Sequence, residues 1–536
     1  MRTSSHCLES IQMVASSVQV SLQAVHHTAV TVVFPHLVES IMMSYIRCSE
    51  QTMKFTHAAQ SSMLPPHPFT QAEIALRKLR QEGENSSIVI CGESGAGKTE
   101  TTKLMLKYLS KISCNKETED MAERILQSNP VLEAFGNAQT IRNDNSSRFG
   151  KFVRMYFGNE SNNSAEILQG AHIQNFLLEK GRCVFQQQSE CTFHIFYQLL
   201  QGGDASLKEE LHLHKHSNYE YVNRWNSSHL TAEMQRINEY HNQNAYDRTV
   251  EALQYMNFPA HERKYLFRIL AAILHLGNVT FYSEGNTALS SGEATWRSKF
   301  SVNEDTPIVG DTGTVSLAAE LLQVPPDRLY VCLLTKTLKT RDGEVVSPLR
   351  EHAAKAGRDA LAKSLYVNLF EYIVKRVNDT LRPSVQNDEF TKRFIGILDI
   401  YGFERLTTNG LDQLFINYAN EKLQSLFNTA VFASEKNIYK EEAIDIQVPE
   451  CPDNNGCVEL FDGRKGLFAL MHEECLLGTR GSDKNLCNKF IRFCSESKYF
   501  EQPKPGKMGD GFIVHHYAGP VQYDCVDFVE RNRDTL

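Results

Sequence analysis

The segment from Gly92 to Thr99 has the residue types and spacing of a loop that binds phosphate groups. Its letters, GESGAGKT, match the pattern G-x-x-x-x-G-K-[ST]. In this pattern the glycines let backbone N–H groups close around phosphates, Lys98 reaches the β and γ oxygens, and the Thr99 hydroxyl binds Mg²⁺. A glycine-rich turn without that chemistry is the simpler alternative. The pattern predicts that the phosphates of a nucleotide bind to Gly92, Glu93, Ser94, Gly95, Ala96, Gly97, Lys98 and Thr99.

Two further segments carry groups that phosphoryl transfer needs besides this loop. Residues 143–151 read NDNSSRFGK, and their hydroxyls, amides and guanidinium can hold Mg²⁺, a water molecule and an ion pair. Residues 399–404 read DIYGFE, in which a carboxylate suits the outer coordination shell of Mg²⁺ and a glycine N–H can approach the γ-phosphate. Either segment alone could be an ordinary polar loop. All three in this order favour a site that hydrolyses a nucleotide.

The elements around these segments predict how they are held. Residues 88–91 form a short apolar run of strand type, and the apolar positions of residues 104–112 fall on one helical stripe. Residues 394–398 predict a buried strand that ends at Asp399, and residues 359–378 predict a long amphipathic helix. We therefore predict an α/β fold, a P-loop NTPase core with a mixed, mostly parallel central sheet and large helical insertions.

Composition narrows the classes of function. The 536 residues carry a net charge of −8, which argues against nucleic acid as the main partner. The thirteen cysteines include no C-x-x-C pair, and we interpret them as reduced thiols. No stretch approaches the roughly 20 apolar residues of a membrane span, so no membrane span is expected. A cytoplasmic location is the prediction.

The three segments resemble the P-loop, switch I and switch II of the myosin motor head, and these names are used below for residues 92–99, 143–151 and 399–404. Kinesin is the near relative to exclude, because its switch I continues Ser-Ser-Arg-Ser-His and its switch II reads Asp-Leu-Ala-Gly-Ser-Glu. The likeness runs from about Pro65 to Leu536 and is closer to an unconventional myosin than to a muscle one. It includes LEAFGNA at 132–138, LLEK at 177–180, FHIFY at 193–197 and INYANEKL at 416–423.

The resemblance implies ATP and Mg²⁺ as cofactors and assigns residues to them. Ser147 would join Thr99 as a ligand of Mg²⁺, and Asp399 would act in its outer shell. Asn143 would contribute to nucleotide binding.

The resemblance also implies catalytic roles in both switches. Ser146 and Gly402 would lie beside the attacking water and the γ-phosphate. Arg148 and Glu404 would form an ion pair that closes the site when both switches move in. A helix at 412–432, similar to the myosin relay helix, would carry that closure to other parts of the head.

Actin filaments are the partner that the resemblance implies. Residues 466–500 resemble the helix–turn–helix at the actin face of myosin, and residues 336–350 resemble a surface loop that touches actin. The candidate contacts are Glu344, Leu467, Phe468, Leu470 and Met471. A core role for the four apolar side chains is the alternative.

Departures from the family pattern indicate which parts of a motor domain this chain is expected to lack. Residues 1–62 are predicted to be a divergent segment, and residues 63–536 a partial motor domain. We expect an incomplete central sheet and a head without the converter or the neck that binds light chains. An actin-based motor ATPase head in the actin cytoskeleton is the leading hypothesis. An ATP-binding pseudo-motor, and a non-enzymatic fragment that binds actin or another partner, are the alternatives.

Overall fold

The computed structural model describes residues 29–33, 50–58, 67–160, 163–187, 190–214, 219–222, 239–282, 307–340, 343–383, 393–429, 434–444, 453–503 and 511–532. The helices among them are α1 (Glu50–Ala58), α2 (Pro68–Glu82), α3 (Lys98–Ile112), α4 (Glu119–Gly136), α5 (His194–Gly202), α6 (Ala205–Glu210), α7 (Gln243–Tyr255), α8 (Ala260–Gly277), α9 (Thr312–Leu322), α10 (Pro326–Leu334), α11 (Glu351–Leu381), α12 (Leu411–Phe427), α13 (Ser434–Glu441), α14 (Asn455–Asp462), α15 (Leu467–Leu476), α16 (Asp483–Cys494) and α17 (Phe528–Arg531).

The strands of the described residues are β1 (Ala29–Val33), β2 (Ser86–Ile90), β3 (Asn137–Ala138), β4 (Ser146–Ser147), β5 (Gly150–Glu160), β6 (Asn163–Phe176), β7 (Phe281–Tyr282), β8 (Ile308–Val309), β9 (Thr335–Thr340), β10 (Gly343–Pro348), β11 (Phe394–Asp399), β12 (Phe500–Glu501), β13 (Gly511–His516) and β14 (Gly519–Asp524).

The chain divides into two compact units, which are described separately. The first unit comprises Met1–Leu126, Phe149–Leu177 and Leu381–Asp534. The second unit comprises Gln127–Arg148, Leu178–Thr380 and Thr535–Leu536. The P-loop and switch II belong to the first unit, and the part of switch I up to Arg148 belongs to the second.

The central sheet of the first unit has the order β1-β2-β11-β5-β6. The pairs β1–β2 and β2–β11 are parallel, and the pairs β11–β5 and β5–β6 are antiparallel. The predicted α/β fold with a mixed sheet is therefore confirmed, but the parallel share is smaller than predicted. The reason is that β5 and β6 follow each other as a hairpin, which joins β11 in the antiparallel sense.

The N-terminal segment, which the sequence analysis treats as divergent, adds a strand to this sheet. Residues Ala29 to Val33 pair in register with Ser86 to Ile90, so β1 lies next to the strand that leads into the P-loop. All five residues of β2 are buried. A strand buried on both faces is typical of the parallel part of an α/β sheet.

The residues that flank α2 explain where this helix begins and ends. His67 precedes the helix, and its Nδ1 accepts a hydrogen bond from the backbone N–H of Phe69 at 3.0 Å. Pro68 occupies the first helical position, where no N–H is required. Gly83 follows the helix with φ 68, and its N–H donates to the carbonyl of Leu79.

Two hydrophobic clusters of the first unit share α12. One face of the helix packs against the central sheet, where Ile416 and Leu423 lie with Val89 and Phe152. The other face joins a cluster that includes β13, β14 and α14 to α17, in which Leu414 and Tyr418 are members. The helix predicted at 412–432 is observed as α12, which ends at Phe427; residues 430–432 lie outside the described residues. Its relay role stays a prediction.

In the second unit, α8, α9 and α10 surround a cluster that contains Leu276, Val315 and Tyr330. The predicted helix at 359–378 lies within α11. None of the helices in the described part of the chain combines the length and the hydropathy that crossing a bilayer requires.

Candidate active site

The P-loop connects β2 to α3, as the sequence predicts. Gly95 and Gly97 have φ 85 and φ 82, backbone conformations that favour glycine because other residues carry a Cβ. Lys98 is the first residue of α3, so the loop lies at the N-terminus of a helix of 15 residues. The free N–H groups and the positive end of the helix dipole make this position suitable for an anion such as a polyphosphate.

Lys98 is a buried cation within this loop, since its side chain is only 7% exposed. Its Nζ donates hydrogen bonds to the carbonyls of Gly92 at 3.0 Å and Glu93 at 2.5 Å. Burial lowers the pKa of Lys98 to about 8, although the negative charges of Asp399 and Glu404, among others, act in the opposite direction. A phosphate group would favour the charged form of this lysine.

Switch II packs directly against the P-loop. A Cβ built on Gly402 would collide with the backbone of Glu93 and with the ammonium group of Lys98. Phe403 forms a parallel bridge with Glu93, and its carbonyl accepts a hydrogen bond from the backbone N–H of Ser94 at 3.3 Å. Only glycine fits at position 402, because the approaching atoms are largely backbone and cannot move aside.

Asp399 lies at the carboxyl end of β11, beside the end of β2. The sheet register pairs Asp399 with Ile90 on one side and with Lys151 on the other. Its side chain is 2% exposed, and its Oδ2 is 3.7 Å from Nζ of Lys151. Ligands bind at this edge in open α/β sheets. The outer-shell role of Asp399 toward Mg²⁺ stays a prediction.

Glu404 is fixed by α12 through its backbone. The side-chain oxygen of Asn417 accepts from the N–H of Glu404, and the side-chain nitrogen of Asn417 donates to the Glu404 carbonyl, both at 2.8 Å. Gln413 donates to the Glu404 carboxylate at 3.3 Å. Neither Gln413 nor Asn417 is among the site residues predicted from the sequence, although the segment INYANEKL, which contains Asn417, belongs to the resemblance.

Switch I begins as a tight polar loop in the second unit. The strands β3 and β4 pair through Asn137 with Ser147 and Ala138 with Ser146. The side-chain oxygen of Asn143 accepts from the backbone N–H of Asn145 at 2.9 Å, which is an Asx turn. Ser146 is buried and Ser147 is half-buried. The assignments of Asn143, Ser146 and Ser147 to nucleotide, water and metal stay predictions.

Arg148 ends this part of switch I as a buried guanidinium, 1% exposed. Its Nε donates to Glu179 at 2.6 Å, and its Nη1 donates to the hydroxyl of Ser146 at 3.2 Å. Arg182 also donates to Glu179, at 2.7 Å, and forms an ion pair with Glu190 at 2.9 Å. The pKa of Glu179 would be raised by burial, but the two guanidinium groups outweigh that effect and lower it to about 2.

Glu179 is therefore a functional candidate that the sequence analysis missed. It lies in the LLEK segment, 31 residues after Arg148, and an acidic residue followed closely by Arg182 was the available signal. Glu404, the partner that the resemblance implies for Arg148, belongs to the first unit. That ion pair stays a prediction.

The four apolar candidates for actin contact need a correction. Leu467 and Met471 are fully buried, and Phe468 and Leu470 are 4% exposed. All four belong to the hydrophobic cluster around α12 and β13, so they hold α15 in place and do not form its outer surface. The fifth candidate, Glu344, lies in β10 opposite Lys339 of β9, and its contact with actin stays a prediction.

A second buried group of possible metal ligands lies away from the P-loop. Glu421, Cys457 and His516 have ligand atoms within 4.8 Å of one another. The Glu421 carboxylate already accepts hydrogen bonds from the backbone N–H of Tyr517 at 2.9 Å and from the amide of Asn454 at 2.6 Å. Its Oε1 also lies 3.0 Å from Nδ1 of His516. These bonds identify the group as a polar link between α12, α14 and β13.

Comparison with known proteins identifies the family of this chain. The sequence model of the myosin head (motor domain) family matches residues 43–536, so the match starts before residue 63, the predicted start of the motor domain. The chain is 37% identical to Myosin-2 of Saccharomyces cerevisiae over 88% of its length, covering 29% of that protein. It is 36% identical to the Myosin-I heavy chain of Dictyostelium discoideum over 90% of its length, covering 19% of that protein.

Unconventional myosin-Vc of Homo sapiens is 35% identical over 88% of this chain, which covers 25% of that protein. The chain therefore spans about a fifth to a third of the length of these curated relatives. Because the match extends over nearly all of the sequence at more than 30% identity, the chain belongs to the myosin head (motor domain) family.

Proposed function

We propose that this chain is an actin-based motor ATPase head, which binds and hydrolyses Mg-ATP and binds actin filaments. The observation that carries the proposal is the packing of switch II against the P-loop. The ammonium of Lys98, the backbone of Gly402 and the carboxylate of Asp399 lie at one edge of the central sheet. That combination serves phosphoryl transfer, because it brings a cation, N–H donors and a carboxylate to the same place.

The P-loop is expected to bind the triphosphate. Its N–H groups and the N-terminus of α3 would surround the β-phosphate, and Lys98 would neutralise charge on the β and γ oxygens. A bound Mg²⁺ would supply further charge neutralisation, with Thr99 and Ser147 as its ligands and Asp399 acting through water. The hydroxyl and carboxylate oxygens of these residues are ligands that Mg²⁺ prefers.

Hydrolysis is expected to depend on positioning more than on a strong base. Ser146 and the backbone N–H of Gly402 would orient the attacking water at the γ-phosphate. Arg148 and Glu404 would pair across the site when the switches close. Glu179 already holds the guanidinium of Arg148 in one orientation, so less conformational freedom is lost on closure.

Coupling to motion is expected to run through α12. Asn417 holds both the N–H and the carbonyl of Glu404, and its amide also donates to the hydroxyl of Tyr523 on β14 at 2.8 Å. A displacement of switch II would therefore move the helix and the small sheet with it. Such a shift of a packed helix is a common way to convert a local change into a larger one.

The actin-binding surface needs side chains that reach the solvent. Leu476 and Leu477, at the end of α15, are 52% and 41% exposed. We propose these two residues, together with Glu344 of β10, as actin contacts in place of the four buried side chains. Exposed apolar residues at a turn are suited to protein contacts. A cytoplasmic location on actin filaments follows from this proposal.

Steady-state hydrolysis of Mg-ATP tests the enzymatic part. Lys98→Ala is expected to lower the rate by about 100-fold or more, because it removes the cation that stabilises the transferred phosphate. Lys107→Ala is the matched control, since Lys107 is an exposed lysine of the same helix, and it should retain the wild-type rate. Actin filaments should raise the wild-type rate. Absence of nucleotide binding would contradict the proposal.

Cosedimentation with actin filaments tests the partner. The double variant Leu476→Ser and Leu477→Ser should weaken binding by about tenfold, in line with the loss of two apolar contacts. Tyr265→Ser changes an exposed apolar side chain of the second unit and serves as the control. Equal binding by the double variant and the control would contradict the placement of the contact surface.

A further inference from the structure

Two buried histidines contact each other in the second unit, next to switch I. Nδ1 of His194 lies 2.9 Å from Nε2 of His241. Nε2 of His194 lies 3.1 Å from the side-chain oxygen of Asn145, the residue that precedes the two serines of switch I. His194 is 1% exposed and His241 is fully buried. The proposed function does not use either histidine.

The hydrogen bonds of Asn145 determine where the protons of both rings lie. Its side-chain nitrogen donates to the carboxylate of Glu133 at 3.3 Å, and its side-chain oxygen accepts from the amide of Asn137 at 2.8 Å. An amide oxygen only accepts, so Nε2 of His194 must carry a hydrogen. In the neutral ring Nδ1 of His194 is then an acceptor, and Nε2 of His241 must donate to it.

Burial keeps this chain of donors neutral. It lowers the pKa of His194 to about 3, and it lowers the pKa of His241 well below the usual range with a smaller contribution from His194. Aromatic rings hold both imidazoles in place. Tyr197 stacks on His241 with ring centres 4.3 Å apart, and Tyr240 stacks on His194 at 5.2 Å. The direction of hydrogen bonding is therefore fixed at physiological pH.

We propose that His194 and His241 are positioning residues for the ATPase site, which act by orienting the amide of Asn145. This inference rests on the proposed function. His241 donates to Nδ1 of His194 and so supports the tautomer that Asn145 requires. His194 donates to the amide of Asn145, and Asn145 leads directly into β4. Asn137 donates to the side-chain oxygen of Asn145 and is also the strand partner of Ser147. The amide of Asn145 therefore links the two serines to β3. The orientation of Ser146 and Ser147 thus depends on a buried histidine relay.

A matched pair of substitutions at His194 separates positioning from simple core packing. In His194→Gln the side-chain amide reaches the position of Nε2 and can still donate to Asn145, whereas in His194→Asn it reaches only the position of Nδ1. We expect His194→Asn to lower kcat for Mg-ATP hydrolysis about 30-fold while KM for ATP changes by less than about threefold. His194→Gln should return kcat to within about threefold of the wild type.

His241→Leu tests the outer link and should lower kcat by about fivefold, because His194 then loses the hydrogen bond at Nδ1 that holds its ring toward Asn145. Thermal unfolding of each variant shows whether the fold is retained. Equal kcat for His194→Gln and His194→Asn, in chains that unfold at the same temperature, would overturn the inference.

A wild-type chain that does not hydrolyse ATP would instead contradict the proposed function. The relay is then decided by ¹⁵N NMR of the histidine rings. We expect one proton, on Nε2, in both His194 and His241. In His241→Leu the ¹⁵N shift of Nδ1 of His194 should lose its hydrogen-bonded character. A proton on Nδ1 of His194 would overturn the relay.

Discussion

Two regions that carry the predicted chemistry are built in different ways. In the first unit, the P-loop and switch II are held by backbone atoms at the ends of β2 and β11, and glycines make the close approach possible. In the second unit, switch I is held by buried side chains, namely the ion pairs around Glu179 and the amide of Asn145.

This difference determines what each region tolerates. Backbone packing leaves no space for an additional atom at Gly402. The charge network is sensitive to the removal of a group, because the loss of one partner leaves another charge buried without compensation. Substitutions in the charge network around Glu179 should therefore act mainly on stability, and substitutions at the packed glycine should act mainly on the reaction.

The largest expected effect is on the charge network. Glu179→Gln removes the only negative charge that both Arg148 and Arg182 share in the described residues, so two guanidinium groups stay buried close together. We expect a loss of about 3–5 kcal/mol in the free energy of unfolding, as found when a buried ion pair loses one partner. Urea unfolding measures it. Glu82→Gln, in an exposed pair with Lys78, is the control and should change stability by less than about 0.5 kcal/mol.

Acid should reduce the difference between wild type and Glu179→Gln. The pKa of Glu179 is depressed from 4.5 to about 2 in the folded chain, so its stabilising charge is fully present above the higher value and is lost as the pH falls through the lower one. The two unfolding free energies should converge between roughly pH 5 and pH 2. A difference that is constant over this range would show that Glu179 acts through packing and not through its charge.

The next effect concerns the packed glycine. Gly402→Ala places a Cβ against the backbone of Glu93 and the ammonium of Lys98, so either switch II or the P-loop must shift. We expect kcat to fall by about 100-fold, which corresponds to nearly 3 kcal/mol of transition-state stabilisation. Gly357→Ala is the control, because a Cβ there meets no atom within 4 Å. Similar kcat values for the two variants would contradict the proposed role of this close packing.

A smaller effect is expected from pH at the P-loop. Because burial lowers the pKa of Lys98 to about 8, part of the population has a neutral lysine above that pH. ATP binding favours the charged form, so the affinity should fall by up to about tenfold for each pH unit above 8 and be nearly constant below it. Equilibrium titration with a fluorescent ATP analogue measures this. Lys98→Arg, which stays charged, should remove the dependence.

The difference between the two regions also explains which site residues can be predicted from the sequence. The P-loop is predicted from eight neighbouring residues, because the backbone conformations of Gly95 and Gly97 and the side chain of Lys98 all act within the loop itself. The edge of the sheet follows from the apolar run that ends at Asp399. The nearby Arg182 is the only local signal for Glu179, and it does not reveal the role of this residue, which arises when the fold brings it to Arg148.

The apolar pattern of α15 does not reveal what its apolar face contacts. Leu467 and Met471 have the spacing of a helix face, but that spacing does not show whether the face contacts an external partner or the core of its own chain. The structure decides this by packing the face against α12 and β13. The exposed residues Leu476 and Leu477 lie where the helix ends, beyond the periodic pattern.

The smallest effect separates two roles of Asn143. Its side-chain oxygen closes the Asx turn onto Asn145, and we expect this turn to be its main contribution to nucleotide binding. Loss of one partly exposed hydrogen bond in Asn143→Ala should raise KM for ATP by about threefold, near the lower end of the range for such bonds. Asn143→Ser should restore most of the affinity, because a serine hydroxyl can accept the same backbone N–H. If the amide instead contacts the nucleotide directly, Asn143→Ser would have the same raised KM for ATP as Asn143→Ala. The main contribution of Asn143 would then be a contact with the nucleotide and not the Asx turn.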